Sequence, residues 1–327
     1  ALCLETRALL RPELRLLVMS ATLEGDEVAA MLDGAPIITS QGRQHPVETR
    51  YLERPVDGPV EAAVARTVLA ALARDAGDVL AFLPGQAEIR RTAARLAGAL
   101  PAGGSVAVLP LYGDLPAEAQ DRAIRPVPPG TRKVVLATSI AETSLTIEGV
   151  GIVVDAGLAR VPRFSPRTGL TRLETVRVSR AAADQRRGRA GRLGPGVCYR
   201  LWTAAEHRTL RPHALPEVLE ADLAPLALEL AVWGAPDPTA LRWLDPPPAA
   251  AFSQARELLG RLGALDGAGA ITPHGREMAA LGLHPRLAHM LLCAGAMGAG
   301  ATACLLAALL DERDILHGDA GPPDADL

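Results

Sequence analysis

The chain has 327 residues, 49% apolar and 3% aromatic, with 34 basic side chains against 37 acidic ones. That length accommodates two domains or more, and a charged content of 22% excludes a globally disordered chain. Thirty-three of the basic residues are Arg. The single Lys, Lys133, follows Arg132 rather than Gly, so these residues contain no G-x-x-x-x-G-K-[ST] phosphate loop. Any nucleotide chemistry must therefore use other groups or share its site with another segment.

In chain order, Arg15-Leu-Leu-Val-Met19 predicts a buried strand ending at Ser20-Ala21-Thr22, and Asp26–Leu32 a short helix closed by Gly34. Alternation at Val47–Leu52 predicts a strand, and Val60–Arg74 has helical periodicity ending before Gly77. Strand and helix then alternate: strands at Val79–Leu83, Ser105–Leu109, Val134–Ala137 and Ile152–Asp155, helices at Gln86–Leu100 and Ala117–Ile124. That alternation predicts an α/β fold, a parallel sheet with helices on both faces and function at the carboxyl ends of its strands. Residues 160–178 predict a hairpin turning at Ser165-Pro-Arg-Thr-Gly169, and Ala181–Ala190 a helix with Arg on one side. After Trp202 helices with Gly and Pro breaks take over, and Pro246-Pro247-Pro248 marks a rigid connection. Met290–Leu310 is uncharged and long enough for a membrane, but Gly295, Gly298 and Gly300 predict two short buried helices instead.

The charge is uneven. Residues 1–159 carry net −4, residues 160–211 carry 13 basic and 3 acidic side chains for net +10, and residues 212–327 carry net −9. The Arg-dense stretch is a candidate polyanion contact, with a solvated basic face as its plain alternative. Cys3, Cys198, Cys293 and Cys304 form no C-x-x-C and read as core thiols of a reducing cytosol, with no His at ligand spacing, no metal site and no disulfide partner. No signal peptide is expected, and the first residues read as starting within a helix, as in a fragment of a longer protein.

Three segments carry chemistry. Ser20-Ala21-Thr22 follows an apolar strand, though a hydroxyl pair also caps helices. Residues 138–150, Thr-Ser-Ile-Ala-Glu-Thr-Ser-Leu-Thr-Ile-Glu-Gly-Val, gather hydroxyls and two carboxylates after a strand; they could hold phosphates or ribose, or form a capped turn. In Gln185-Arg-Arg-Gly-Arg-Ala-Gly-Arg192, helical spacing puts Gln185, Arg189 and Arg192 on one face, a fork suited to the spread negative charge of a phosphoryl group. Gly188 and Gly191 allow a backbone or phosphate to approach closely.

Together these segments resemble motifs III, V and VI of superfamily 2 helicases of the DEAH/RHA branch, with wording similar to HrpB-type ATP-dependent helicases. Leu83-Pro-Gly-Gln-Ala-Glu-Ile89, Leu109-Pro-Leu-Tyr-Gly113, Trp243-Leu-Asp-Pro-Pro247, Leu262-Gly-Ala-Leu265 and His284-Pro-Arg-Leu287 extend the resemblance over nearly the whole chain. It implies a remnant of a first RecA-like lobe at 1–40, a second RecA-like lobe at 41–203, a winged helix at 204–284, and the start of a helical ratchet domain at 285–327. It further implies arginine fingers at Arg189 and Arg192, with Gln185 placing the γ-phosphate or attacking water. Ser144 and Glu148 would lie near the nucleotide, Thr138 on the nucleic-acid backbone, and the hairpin beside the strand path as a wedge. Ser20 and Thr22 would couple the lobes. The implied cofactor is ATP or another NTP with Mg²⁺, both requiring the first lobe's phosphate loop and D-E-x-H motif, so these residues alone should be inactive. The implied partner is single-stranded nucleic acid, RNA ahead of DNA, in the cytoplasm and away from membranes. Ser139 stands where relatives commonly have Asn, and Ile124 near where some place an aromatic against the base. The rival reading is a non-catalytic nucleic-acid-binding or regulatory module on the same fold.

Overall fold

The computed structural model describes residues 1–20, 25–39, 45–101, 104–142 and 147–311. The chain divides into two compact units, one of residues 38–215 and one of residues 1–37 with 216–327.

The first two helices are α1 (Leu2–Leu9) and α2 (Gly25–Met31). The sheet unit then runs β1 (Val47–Leu52), α3 (Val60–Arg74), β2 (Asp78–Phe82), α4 (Gln86–Ala99), β3 (Val106–Leu111), α5 (Ala117–Ile124), β4 (Arg132–Ala137), β5 (Val150–Asp155), β6 (Leu158–Ser165), β7 (Leu170–Arg177), α6 (Arg180–Gly188), β8 (Gly196–Thr203) and α7 (Ala204–Thr209). Six of these strands form one parallel sheet in the order β1-β8-β5-β2-β4-β3, while β6 and β7 pair antiparallel as the expected hairpin.

Successive side chains of a strand point to opposite faces, and the apolar runs fill both. Val79, Ala81, Val134, Leu136, Ile152 and Val154 meet α3 and α4 through Val64, Val68, Ile89 and Leu96. Leu80, Phe82, Val135, Ala137 and Val153 face the other way, against Ala123 of α5, Ala141, Ile147 and Ala190. The second face therefore carries the β4–β5 crossover and the turn after α6 side by side. Lys133 is buried at the start of β4, where its Nζ donates to the carbonyls of Ile124 (3.3 Å) and Arg125 (2.9 Å), closing the end of α5. Burial pushes its pKa down.

The helical unit continues with α8 (Ala224–Trp233), α9 (Ala249–Arg261), α10 (Pro273–Ala280), α11 (Pro285–Ala296) and α12 (Gly300–Asp311). Leu228, Leu230, Phe252, Leu259, Leu265 and Met278 form its core. An antiparallel bridge between Leu265 and Ile271 links α9 to α10. The uncharged stretch at 290–310 is broken at Gly298 (φ 76°), as expected, but α12 is not the buried helix foreseen, with Leu305, Leu309 and Leu310 exposed; no described helix is long and apolar enough to cross a membrane.

Four expectations need correction. Residues 15–19 form no strand: Leu17 is 80% and Met19 83% exposed, because a lone apolar segment finds no described sheet edge to join. The strand β8, not foreseen, lies between β1 and β5; Arg200 within it hid its apolar pattern. The helix expected to reach Ala190 ends at Gly188 and tightens into a 3₁₀ turn at Arg189–Gly191. Only Cys198 of the four thiols is fully buried, with Cys3 and Cys304 exposed.

Candidate nucleotide and nucleic-acid site

β4 ends at Ala137, and Thr138 follows at the carboxyl edge of the sheet, half-buried, its N–H donating to the Leu111 carbonyl at 3.2 Å. A single 3₁₀ turn, Ser139–Ala141, leads to Glu142. Ser144 and Thr22 lie outside the described residues. Glu148 is exposed two residues before β5, at the opposite, amino edge of the sheet, where its charge reaches Lys133. Thr138 and Glu148 thus lie at opposite edges of the sheet.

Helix α6 is capped by the Ser179 hydroxyl, which accepts from the Ala182 N–H at 3.2 Å. Its central anchor is Arg186, 1% exposed. Arg186 Nη1 donates to Asp155 at the end of β5 at 2.8 Å, and Nε and Nη2 donate to Glu142 at 2.7 and 2.5 Å. The guanidinium lies 4.9 Å from the centre of the Phe82 ring. Burial pushes the Arg186 pKa down, but Asp155 and Glu142 outweigh it and hold the group above its ordinary value. One residue therefore clamps β5, the crossover and α6 together. On its other side, α6 presents Asp184 to the buried Arg200 of β8 at 2.6 Å, and Arg200 also donates to the Tyr51 hydroxyl at 2.8 Å.

The clamp sets where the expected site residues fall. Gln185 is half-buried beside it. Three residues on, Arg189 is 6% exposed and its Nη2 donates to the Glu142 carbonyl. Arg192 closes the 3₁₀ turn that begins at Arg189. Arg192 is exposed. Burial first, and then the positive charge of Arg192, push the Arg189 pKa down to about 10, so it remains charged at neutral pH. Gly191 serves a backbone rather than a ligand. A Cβ there would come within 2.7 Å of the His45 carbonyl, and the His45 N–H donates to the Gly191 carbonyl at 2.9 Å. Ser20 is exposed and lies in the helical unit, so it belongs to neither side of this clamp.

Sequence reasoning missed Arg186, Glu142 and Asp155 as a set. An Arg beside Arg187 in a basic run reads as solvated, and its two partners lie 44 and 31 residues away. The same pairing corrects the charge argument. Within the Arg-dense stretch, Arg186 is buried against Glu142 and Asp155 and Arg160 pairs with Glu88, all three carboxylates from outside the stretch, so net +10 overstates its surface charge.

Comparison with known proteins agrees with the fold. Residues 62–194 match the helicase conserved C-terminal domain family. The chain is 48% identical over 312 residues to the ATP-dependent RNA helicase HrpB of Escherichia coli, covering 95% of this chain and 38% of that protein. It is 38% identical to the pre-mRNA-splicing factor ATP-dependent RNA helicase prp22 of Schizosaccharomyces pombe, covering 95% of this chain and 27% of the relative. Among solved structures, the E. coli DEAH/RHA helicase HrpB matches 97% of this chain with a TM-score of 0.90 at 46% identity, over 40% of its own length. The crystal structure of the E. coli DExH-box NTPase HrpB matches with a TM-score of 0.86 at 47% identity. The chain spans about two-fifths or less of these relatives. Its sheet unit is RecA-like, and over nearly its whole length the chain is similar to DEAH/RHA helicases.

Proposed function

We propose that this chain supplies the second half of an ATP-dependent RNA helicase's working site. The carrying observation is the pair Arg189 and Arg192: two like charges near enough to act on each other, one desolvated, just beyond the Arg186 clamp. A bound polyphosphate offsets both the desolvation and the repulsion. A guanidinium has five donors, so the carbonyl contact of Arg189 is compatible with a phosphate contact. In this reading Arg189 and Arg192 are arginine fingers on the γ-phosphate, Gln185 orients the phosphate or attacking water, and Ser144 and Glu148 lie toward the nucleotide. Thr138, at the opposite edge of the sheet, meets the nucleic-acid backbone without reading sequence. Ser20 and Thr22 couple this lobe to a first lobe, residues 204–284 form a winged helix, and the hairpin β6–β7 separates strands.

A phosphate-loop Lys would have to come from outside these 327 residues, since the lone Lys133 is buried in a helix-closing contact, and in this reading the carboxylates that hold Mg²⁺ come with it. The residues present fit the anionic end of ATP with Mg²⁺ but include no loop to cradle it. The 327-residue chain alone is therefore expected to hydrolyse no ATP. Joined to a first lobe carrying a phosphate loop, it should do so. In that protein Arg189→Ala should lower the hydrolysis rate by roughly 10³–10⁵ while nucleotide binding, read by a fluorescent analogue, changes little. Wild-type turnover in the Arg189→Ala protein would remove the arginine-finger assignment.

A further inference from the structure

Outside the helicase motifs, α10 and α11 bring together His274, His289 and Cys293. We propose that these three side chains form a binding site for a Zn²⁺-class divalent ion that staples α10 to α11.

The placement is built rather than incidental. The Thr272 hydroxyl caps α10 by accepting from the Gly275 N–H at 3.0 Å, and it donates to the Gly263 carbonyl at 2.6 Å. With Pro273 in the first turn, this fixes the backbone that carries His274. On α11, His289 and Cys293 are four residues apart, one helical turn, and so share a face. His274 Nε2 lies 2.9 Å from His289 Nδ1, and the two rings meet edge to face at 85°. Cys293 Sγ lies 3.8 Å from His289 Nδ1. All three ligand atoms fall within 4.8 Å of one another.

Two of those spacings lie close to the edges of a coordination tetrahedron. With Zn–N near ~2.0–2.1 Å and Zn–S near ~2.3 Å, its edges are about 3.3 Å between nitrogens and about 3.6 Å between nitrogen and sulfur. The observed 2.9 and 3.8 Å need adjustments of a few tenths of an ångström, within the reach of side-chain rotation. Two imidazoles and a thiolate select zinc over the oxygen-seeking Mg²⁺ and Ca²⁺. The net −9 of residues 212–327 favours a cation. Three protein ligands leave a fourth position to water, so the ion is exchangeable. The thiol gives up its proton to solvent on binding.

The spacing His289-x-x-x-Cys293 is present in the sequence, which corrects the expectation that no His lies at ligand distance from a Cys. Its third member, on another helix 15 residues from His289, is not readable there.

The test uses the full chain, stripped with a chelator and titrated with Zn²⁺ and Co²⁺. One equivalent of Co²⁺ should give a thiolate-to-cobalt charge-transfer band and tetrahedral d–d absorption. Cys293→Ser should abolish the charge-transfer band, and a Cys3→Ser/Cys304→Ser protein should keep it. His274→Gln should weaken Zn²⁺ affinity by at least about 100-fold, the upper end of the cost of losing an outer-shell partner. In the unmutated chain, Zn²⁺ should protect Cys293, but not Cys3 or Cys304, from alkylation, whether or not a variant folds. Alkylation of Cys293 unchanged by Zn²⁺, or a band surviving Cys293→Ser, would overturn the site.

Discussion

In the sheet unit, Arg186 and Arg200 are 1% and 2% exposed and bind carboxylates from other elements. In the helical unit, the corresponding ties lie at the surface: Asp33 accepts from Arg7 and from Arg242, each at 2.6 Å, with Asp33 more than half exposed. The helical unit joins its helices by apolar packing and caps, with Asp222 accepting from the Ala224 N–H at 2.9 Å and pairing with His284 at the start of α11. The difference follows from what each unit must hold in place. Apolar packing is non-directional and tolerates small slides between helices, whereas a buried charge pair costs stability unless its geometry is met. The sheet unit uses that intolerance to lock a crossover and a helix whose residues the proposed chemistry needs in register.

The contrast is tested by removing one cation from each unit. Arg186→Met should destabilise the sheet unit by about 3–5 kcal/mol, because it strands the buried Asp155 carboxylate. Hydrogen exchange of β5 and α6 should rise with it. Arg242→Met, at the surface, should leave the helical unit's melting unchanged. Equal losses would mean that burial of the pair is not what matters.

Next in size, Gly191→Ala places a methyl within 2.7 Å of the His45 carbonyl and the Val47 side chain, with an expected cost of about 1–3 kcal/mol. Denaturant unfolding of the sheet unit checks it. A neutral result would mean the turn at 189–191 can shift, and the finger geometry with it.

The smallest effect concerns acid. Burial of Asp222 pushes its pKa up, but the His284 and Ala224 hydrogen bonds outweigh it and hold it below the ordinary value. Its stabilising contribution is therefore present above the ordinary Asp pKa and is lost as pH falls through the lowered one. Asp222→Asn should cost about 1 kcal/mol at neutral pH, and the gap from wild type should close as pH falls below about 4. A gap that persists in strong acid would mean that shape rather than charge does the capping.

Much of the fold was legible. Val60–Arg74 and Ala117–Ile124 form helices over the residues that periodicity indicated, and the parallel sheet followed from alternation. The site was legible only in its motifs. Arg189 and Arg192 were expected on one face because they are three residues apart, a local relation. Arg186 could not, because its role depends on carboxylates from two distant segments.

The sequence by itself determined the resemblance to DEAH/RHA helicases, through motif wording, and the layering, through apolar runs of period two and near four. It also determined, in the single Lys133, that no phosphate loop lies in these residues. The tertiary structure alone decided what that Lys does, which Arg is a buried clamp and which lies exposed, and that two histidines and a thiol meet across two helices. Periodicity reports neighbours along the chain, whereas desolvation and pairing depend on neighbours in space.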